Sequence, residues 1–257
     1  MNKGCEGCRS GKELDFTFSM AFQPIYDVAV ERVWGYEALI RGTAGEGAYQ
    51  VLSQVQPEQK YLFDQSCRVK AIELASRLFP RGNGLKLSIN FMPNAVYEPA
   101  ACLRATLSAA RTFDFPRQAM MFEFTEAEEI VDTDHLRKII AEYRRQGFIT
   151  ALDDFGAGYA GLGLLADFQP DLLKIDMKII RGVDTDRARQ AIVRAIVGVA
   201  RELGITVLAE GIETEAEFLV LKAAGIALFQ GYYFARPAFE ALPPLMQGMP
   251  DRVTVAA

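Results

Sequence analysis

Histidine is nearly missing from this chain: His135 is the only one in 257 residues. That excludes a metal site built on imidazole nitrogens, so any metal here is held by oxygen ligands, which favours Mg²⁺ or Mn²⁺ over zinc. Cysteine is scarce, with four residues. Cys67 and Cys102 fall in helical patterns and read as small buried hydrophobes. Cys5 and Cys8 make a lone Cys-x-x-Cys with no second pair and no histidine cluster to complete a zinc site. No apolar run reaches the ~18 residues of a membrane-crossing helix. No basic stripe is present to neutralise a nucleic-acid backbone, and the formal charge is −5 with a pI of about 5.2. Neither a nucleic-acid polymer nor a membrane is therefore expected as a partner, whereas a small phosphate ligand bound through metals stays open. The first residues lack the apolar centre of a secretion signal, which makes a cytoplasmic protein the expectation.

What the chain does have is apolar residues, half of the total, enough for a sizeable core. Residues 1–14 are polar and read as a flexible leader. Residues 15–257 show no linker and read as one domain. Two strands come first, Ser19–Val28 and Arg32–Arg41. Only a few residues join them, too few for a parallel crossover, so they form an antiparallel hairpin. Helical patterns then alternate with apolar runs: a helix over Pro57–Phe79, a strand at Leu85–Phe91, a helix over Glu98–Thr112, a strand at Met120–Thr125, a helix over Asp134–Gln146 and a strand at Ile149–Asp153. A short helix at Gly161–Asp167 precedes a strand at Leu172–Asp176. Asp184 or Thr185 can cap the long helix that runs to Leu203. Thr206–Glu210 is the next strand, Thr214 caps the next helix, and Ala227–Gln230 is the last strand. Gly147, Gly204 and Gly225 stand where left-handed caps end helices. Eight strands with helices between most of them predict a TIM-like (β/α)8 barrel whose first connection is an antiparallel hairpin.

Alternation within the strands locates the chemistry. Leu87 and Ile89 share one face and Ser88 and Asn90 the other; Phe122 and Phe124 oppose Glu123; Leu173 and Ile175 oppose Lys174 and Asp176; Tyr36 and Ala38 oppose Glu37. Strands under helices need apolar outer faces, so the polar sets point into the barrel. Asn90, Glu123, Asp153, Asp176, Glu210 and Gln230 all fall near strand C-terminal ends, where such barrels carry their sites. Asp153 and Asp154 close a buried strand side by side. Two adjacent buried carboxylates repel unless a cation lies between them, and a divalent metal supplies it. Taken singly, Lys174 and Asp176 would pass for a structural ion pair, and Asp153-Asp154 for a helix cap or turn. His135 reads as a residue on a helix surface.

The segments Gln23-Pro24-Ile25, Gly35-Tyr36-Glu37-Ala38-Leu39-Ile40-Arg41, Ser88-Ile89-Asn90, Phe122-Glu123-Phe124-Thr125-Glu126, Asp153-Asp154-Phe155-Gly156, Lys174-Ile175-Asp176, Ala209-Glu210-Gly211-Ile212-Glu213-Thr214 and Gln230-Gly231-Tyr232 occur in this order over residues 20–240. In this the chain resembles the EAL domain, the cyclic di-GMP phosphodiesterase family. The resemblance implies that Glu37, Asn90, Glu123 and Asp153 bind one divalent metal, that Asp153 bridges to a second, and that Asp154 ligates the second. It implies that Lys174 and Glu210 flank the attacking water and that one or both activate it. Asp176 and Glu213 would support that network, with Gln230 and Gln23 beside it, and Arg41 would contact a substrate phosphate. Glu126 and the loop containing Gly156 and Gly158 would couple metal loading to contacts in a homodimer. Two Mg²⁺ or Mn²⁺ ions are the implied cofactors, and Ca²⁺ is expected to inhibit because its looser coordination does not hold a two-metal geometry. The implied reaction is hydrolysis of cyclic di-GMP to linear pGpG.

The chain also departs from the family. The loop reads Gly158-Tyr159-Ala160-Gly161-Leu162 where Gly-Tyr-Ser-Ser-Leu is usual, and Gly42 follows Arg41 where an aromatic is common. Neither change removes a metal ligand. The alternative is a non-catalytic cyclic di-GMP receptor, and such degenerate members typically lose metal ligands, all of which are present here. No cyclase signature and no sensor domain occurs in the chain, so a separate sensor protein is an open expectation.

Overall fold

A computed structural model of the chain describes residues 14–96, 98–125, 133–158, 161–246, 248–249 and 251. The leader with Cys5 and Cys8, and Glu126, Tyr159 and Ala160, lie outside the described residues. Strands β1 (Phe18–Asp27) and β2 (Arg32–Gly42) form the expected antiparallel hairpin, in a register that sets Gln23 opposite Glu37. Helices α1 (Ala48–Leu52) and α2 (Lys60–Leu78) lead to β3 (Lys86–Asn90). Then follow α3 (Pro99–Thr112), β4 (Met120–Thr125), α4 (Thr133–Arg145), β5 (Ile149–Phe155), α5 (Gly161–Asp167), β6 (Leu172–Ile175), α6 (Met177–Ile180), α7 (Arg187–Glu202), β7 (Thr206–Ala209), α8 (Glu215–Ala223), β8 (Leu228–Phe229) and β9 (Ala238–Phe239).

Strands β2 to β8 pair in sequence order and in parallel, and β1 closes the ring by running antiparallel to both β2 and β8. The TIM-like barrel with an antiparallel first strand is thus the fold. The short β9 takes the stretch of the β1 edge at Ala21 and Phe22 that β8 leaves open.

The alternation read from the sequence sorts the side chains as expected. Outward-facing Leu87, Ile89, Phe122, Phe124, Leu173 and Ile175 are buried under the helices in the main core. Inside the barrel the lower level is a separate apolar layer of Ile25, Met121, Ala151, Leu172, Leu208 and Leu228, with Trp34 and Ile149 packed against it. The next inward-facing residues along these strands are Gln23, Glu123, Asp153, Lys174, Glu210 and Gln230. The barrel is therefore plugged by hydrocarbon below and charged above, at the end of the strands where the helices begin.

Several boundaries differ from expectation. The long helix α7 is capped by Asp186, whose side chain accepts from the Ala188 and Arg189 amides, not by Asp184 or Thr185. Three consecutive residues can each act as a cap, and only the geometry of the preceding turn chooses among them. Strand β8 is two residues long because Gly231 follows Gln230 at φ +156 and turns the chain. Strand β5 continues through both aspartates to Phe155. Thr214 caps α8 as expected, with Glu217 completing a capping box. Gly147, Gly204 and Gly225 are left-handed, with φ of +85, +70 and +97. Cys102 is buried, whereas Cys67 is half-buried. His135 is not a surface residue: it is half-buried, and a ring nitrogen bonds the Val96 carbonyl.

Candidate active site

The charged level is organised around Lys174 on β6. Its side chain is 0% exposed, and Nζ lies 2.6 Å from Glu210 Oε1, 2.8 Å from Glu123 Oε2, 3.2 Å from Asp153 Oδ1 and 3.4 Å from Glu37 Oε2. Four strands thus aim carboxylates at one ammonium. Burial alone would lower the lysine's pKa, but the four carboxylates, Asp153 and Glu123 foremost, hold it well above the ordinary lysine value.

Glu37 is the best anchored of the four. Asn90 Nδ2 donates to its Oε1 at 2.9 Å and Gln230 Nε2 donates to its Oε2 at 2.8 Å. Gln230 Nε2 also reaches Gln23 Oε1 at 3.1 Å, and Gln23 Nε2 donates to the Ala235 carbonyl. The pair of glutamines thus fixes one face of Glu37 and leaves the other toward the centre.

Glu123 is 0% exposed, and its Oε1 has no hydrogen-bond partner among the described residues. Burial, and then the neighbouring Glu37 and Asp153 charges, outweigh Lys174 and push its carboxyl up to about 8. Glu210 is raised well above the ordinary glutamate value, by burial first and by Asp153 next. A native fold rarely leaves a buried carboxylate oxygen unpartnered unless something else is to meet it.

The two aspartates reach the same point by a local irregularity. In a regular strand Asp153 and Asp154 would face opposite sides. Here Leu152 pairs with Leu173 and Phe155 with Ile175, so two residues of β5 stand opposite Lys174 alone. This bulge, with Asp154 in the left-handed region at φ +55, turns the second carboxylate back toward the first. Thr125 Oγ1 donates to Asp154 Oδ2 at 2.8 Å, and the Asp154 amide donates to Asp153 Oδ1 at 2.8 Å.

The residues fit divalent cations. Carboxylate oxygens of Glu37, Glu123 and Asp153 lie within 4.8 Å of one another, and so do those of Asp153, Asp154 and Glu210. Asp153 belongs to both sets. Five carboxylates cluster about one lysine, all the donors are hard oxygens, and two buried oxygens of the site, Glu123 Oε1 and Gln230 Oε1, have no hydrogen-bond partner among the described residues.

Above the carboxylates opens a cavity of about 300 Å³. Gln23, Glu37, Asp153, Asp154, Asp176, Glu210, Glu213 and Gln230 line it, together with Met177, Gly211, Gly231 and Tyr232. Lys174 and Glu123 lie beneath it and do not line it. Asp176 has a second duty there, capping α6 through the Lys178 amide at 2.8 Å. Glu213 stands at the rim, 47% exposed and paired with Arg181 at 2.7 Å, away from the carboxylate cluster. Arg41 does not line the cavity; its guanidinium donates to the Ile40 carbonyl at 2.6 Å. Gly156 has φ +92, a left-handed backbone that disfavours any side chain, and a Cβ there would also displace the tip of Ile179.

Two features escaped the sequence reading. Thr125 was a motif residue without a role, and it holds Asp154. Tyr232 lies at the cavity mouth, 45% exposed, with the Arg236 guanidinium 4.2 Å over its ring. An exposed aromatic directly after a Gln-Gly pair at a strand end was the available signal for it.

Comparisons with known proteins agree with this geometry. The family model described as the EAL domain matches residues 13–237. The blue light- and temperature-regulated antirepressor BluF of Escherichia coli K12 is 31% identical over 243 residues, which cover 92% of this chain and 60% of that protein. The cyclic di-GMP phosphodiesterase PA2567 of Pseudomonas aeruginosa is 31% identical over 226 residues, covering 86% of this chain and 38% of that protein. The chain thus spans less than two thirds of the length of either relative. Among solved structures, a standalone versatile EAL protein from Vibrio cholerae O395 in its c-di-GMP-bound form matches with a TM-score of 0.88 at 52% identity, over 92% of this chain and 99% of that one. Klebsiella pneumoniae BlrP1, in a calcium and cyclic di-GMP complex, matches with a TM-score of 0.84 at 36% identity, over 89% of this chain and 57% of that one. With the barrel, the carboxylate cluster and the motifs in register, the chain belongs to the EAL domain family.

Proposed function

We propose that the chain is a metal-dependent phosphodiesterase that hydrolyses one 3′–5′ phosphodiester bond of cyclic di-GMP to give linear pGpG. The observation that carries this is the orphaned Oε1 of the fully buried Glu123, set among carboxylates that a single lysine cannot neutralise. Glu37, Asn90, Glu123 and Asp153 would hold one divalent cation, and Asp153 with Asp154 a second, with Mg²⁺ or Mn²⁺ suited to this all-oxygen donor set. Once bound, such a pair supplies Lewis acidity and positive charge at the phosphate.

The remaining work falls to side chains. Water adds to phosphorus, its proton passes to Glu210, the bond from phosphorus to one 3′ oxygen breaks, and that oxygen takes up the proton from Glu210 to leave as a hydroxyl. Glu210 is a better acceptor than Lys174 because its carboxylate lines the cavity, whereas Lys174 Nζ is enclosed by four carboxylates. Lys174 keeps those carboxylates together, and Gln230 and Gln23 orient Glu37. Arg41 would contact a substrate phosphate through the guanidinium N–H groups that its bond to the Ile40 carbonyl leaves over. Support for the ligand comes from the bound cyclic di-GMP of the Vibrio cholerae protein, and for metals from BlrP1 complexes that contain manganese or calcium.

A homodimer coupled through Glu126 and the Gly156–Gly158 loop, a cytoplasmic location and a separate sensor partner belong to the same proposal. No helix among the described residues is long and apolar enough to cross a membrane. The second reading, a receptor that binds cyclic di-GMP without turnover, draws on the relative named as an antirepressor. The intact ligand set speaks for the enzyme. The test is turnover of cyclic di-GMP by the purified chain in Mg²⁺ or Mn²⁺, with the product identified. pGpG must form, Glu37→Ala must abolish it, and Ca²⁺ must inhibit it. Tight binding without product would favour the receptor.

A further inference from the structure

Outside the barrel, directly behind two of the proposed metal ligands, lies a buried ion pair that the site itself does not use. Arg68 and Asp64 stand one turn apart on α2, with side chains 0% and 2% exposed and Nη2 2.6 Å from Oδ2. The Arg68 guanidinium lies over three rings, 5.3 Å from the centroid of Phe91, 5.5 Å from Phe122 and 5.7 Å from Tyr143. Its Nη1 donates to Tyr143 Oη at 2.6 Å.

The neighbours of those rings give the pair its meaning. Phe91 follows Asn90, and Phe122 precedes Glu123. By strand alternation each ring is the outward counterpart of an inward ligand, so the guanidinium packs against the backs of two adjacent ligand positions. Asp64 adds a directional tie. Its Oδ1 accepts the Met92 amide at 3.0 Å, just past the end of β3, while the Phe91 amide donates to the Glu123 carbonyl at 2.9 Å. One carboxylate and one guanidinium therefore connect α2 to α4 and to the ends of β3 and β4.

Stability does not explain the arrangement. Apolar side chains of the same volume commonly serve as well as a buried ion pair or better, because each charge must be desolvated. A pair of charges supplies direction, which an apolar filling lacks. We propose that Arg68 and Asp64 are positioning residues for Asn90 and Glu123, and that they set the affinity of the oxygen site for a divalent cation. This rests on the proposed function only in that those two residues hold the cation.

The experiment is calorimetric titration of Mn²⁺ into the metal-free full chain, with thermal unfolding recorded on the same samples. The informative variant is the apolar double replacement Asp64→Leu/Arg68→Met, which leaves no charge unpaired. The Met92 amide and the Tyr143 hydroxyl lose their partners, so its melting temperature should fall, though no further than that of the core control below, while its Mn²⁺ dissociation constant rises about tenfold, the low end for loss of a ligand-orienting partner. Leu221→Ala, in the core under α8, is the control for a purely structural effect: it should lower the melting temperature and leave the Mn²⁺ constant unchanged. If the double variant does not fold, Arg68→Lys takes its place, because lysine keeps the charge but cannot bridge Asp64 and Tyr143 together, and its constant should rise at least about threefold. An unchanged Mn²⁺ constant in the folded variant overturns the positioning role and leaves the enzyme reading intact. No Mn²⁺ binding by the wild type overturns both.

Discussion

Replacing Lys174 by methionine isolates the electrostatics of the site. Methionine keeps the unbranched shape, one atom shorter, and loses the charge. It would leave carboxylates that lie 2.6–3.4 Å from Nζ facing one another with no cation. Removing one partner of a buried pair costs about 3–5 kcal/mol. A chain of this length has an unfolding entropy of roughly 0.54 kcal/mol per kelvin, so the metal-free variant should melt about 6–9 °C below the wild type. The deficit depends on pH, and its sign follows from burial. Carboxylates without a cation take up protons more readily folded than unfolded, so between the unfolded pKa of about 4 and the raised folded value the native state binds more protons. The deficit must therefore be small near pH 5 and grow as the pH rises toward about 8, where Glu123 titrates even with the lysine present. Divalent cations should reverse it, and because the cluster is one charge more negative, saturating Mn²⁺ should raise the melting temperature of the variant by more than that of the wild type. Thermal melts followed by circular dichroism, after chelation and again with Mn²⁺, read all three quantities. A metal-free variant that melts within about 2 °C of the wild type near pH 8, or one that Mn²⁺ stabilises less than the wild type, would refute the view that Lys174 stands in for cations.

Further outcomes follow from the cavity wall. At Gly231 a Cβ would lie 2.2 Å from the Ile212 carbonyl oxygen and 2.3 Å from its nitrogen, both backbone atoms, so Gly231→Ala should lower stability by at least ~2 kcal/mol, read as a melting shift of about 4 °C. Because that residue adjoins Gln230, turnover should fall with it. Tyr232 offers an exposed ring backed by Arg236. Stacking of a base on it would be worth about 1–3 kcal/mol, so Tyr232→Ala should raise KM for cyclic di-GMP about tenfold while Tyr232→Phe stays near the wild type. The same variants should hydrolyse bis(p-nitrophenyl) phosphate, which carries no base, at the wild-type rate. Equal losses on both substrates would count against a stacking role.

The level of the site was legible because period-two alternation is rigid: once Ile89 and Phe122 face the helices, Asn90 and Glu123 must face the barrel. At one point alternation runs against the cation that the paired aspartates call for. It assigns Asp153 and Asp154 to opposite faces, and only the bulge against Lys174 brings them together. A bulge is a property of the pairing between two strands, and nothing in the run of β5 alone announces it. Arg68 was invisible for a similar reason. On α2 it reads as an ordinary charged residue, and its burial depends on rings contributed by β3, β4 and α4. Arg41 and Glu213 carried roles by resemblance, yet the structure gives the first a bond to its own neighbour's carbonyl and the second to Arg181 at the rim. The two-residue β9 was missed because a pair of residues carries no periodicity to read.

The apolar layer below the charges has a kinetic consequence. Ile25, Met121, Leu172, Leu208 and Leu228 are all at most 3% exposed, so among the described residues the barrel is a well with a floor. Entrance and exit are the same opening. For the reaction proposed above, a linear product that lingers there excludes the next cyclic substrate, so pGpG should act as a competitive inhibitor and the pace of repeated turnover should be set at the mouth as much as at the carboxylates.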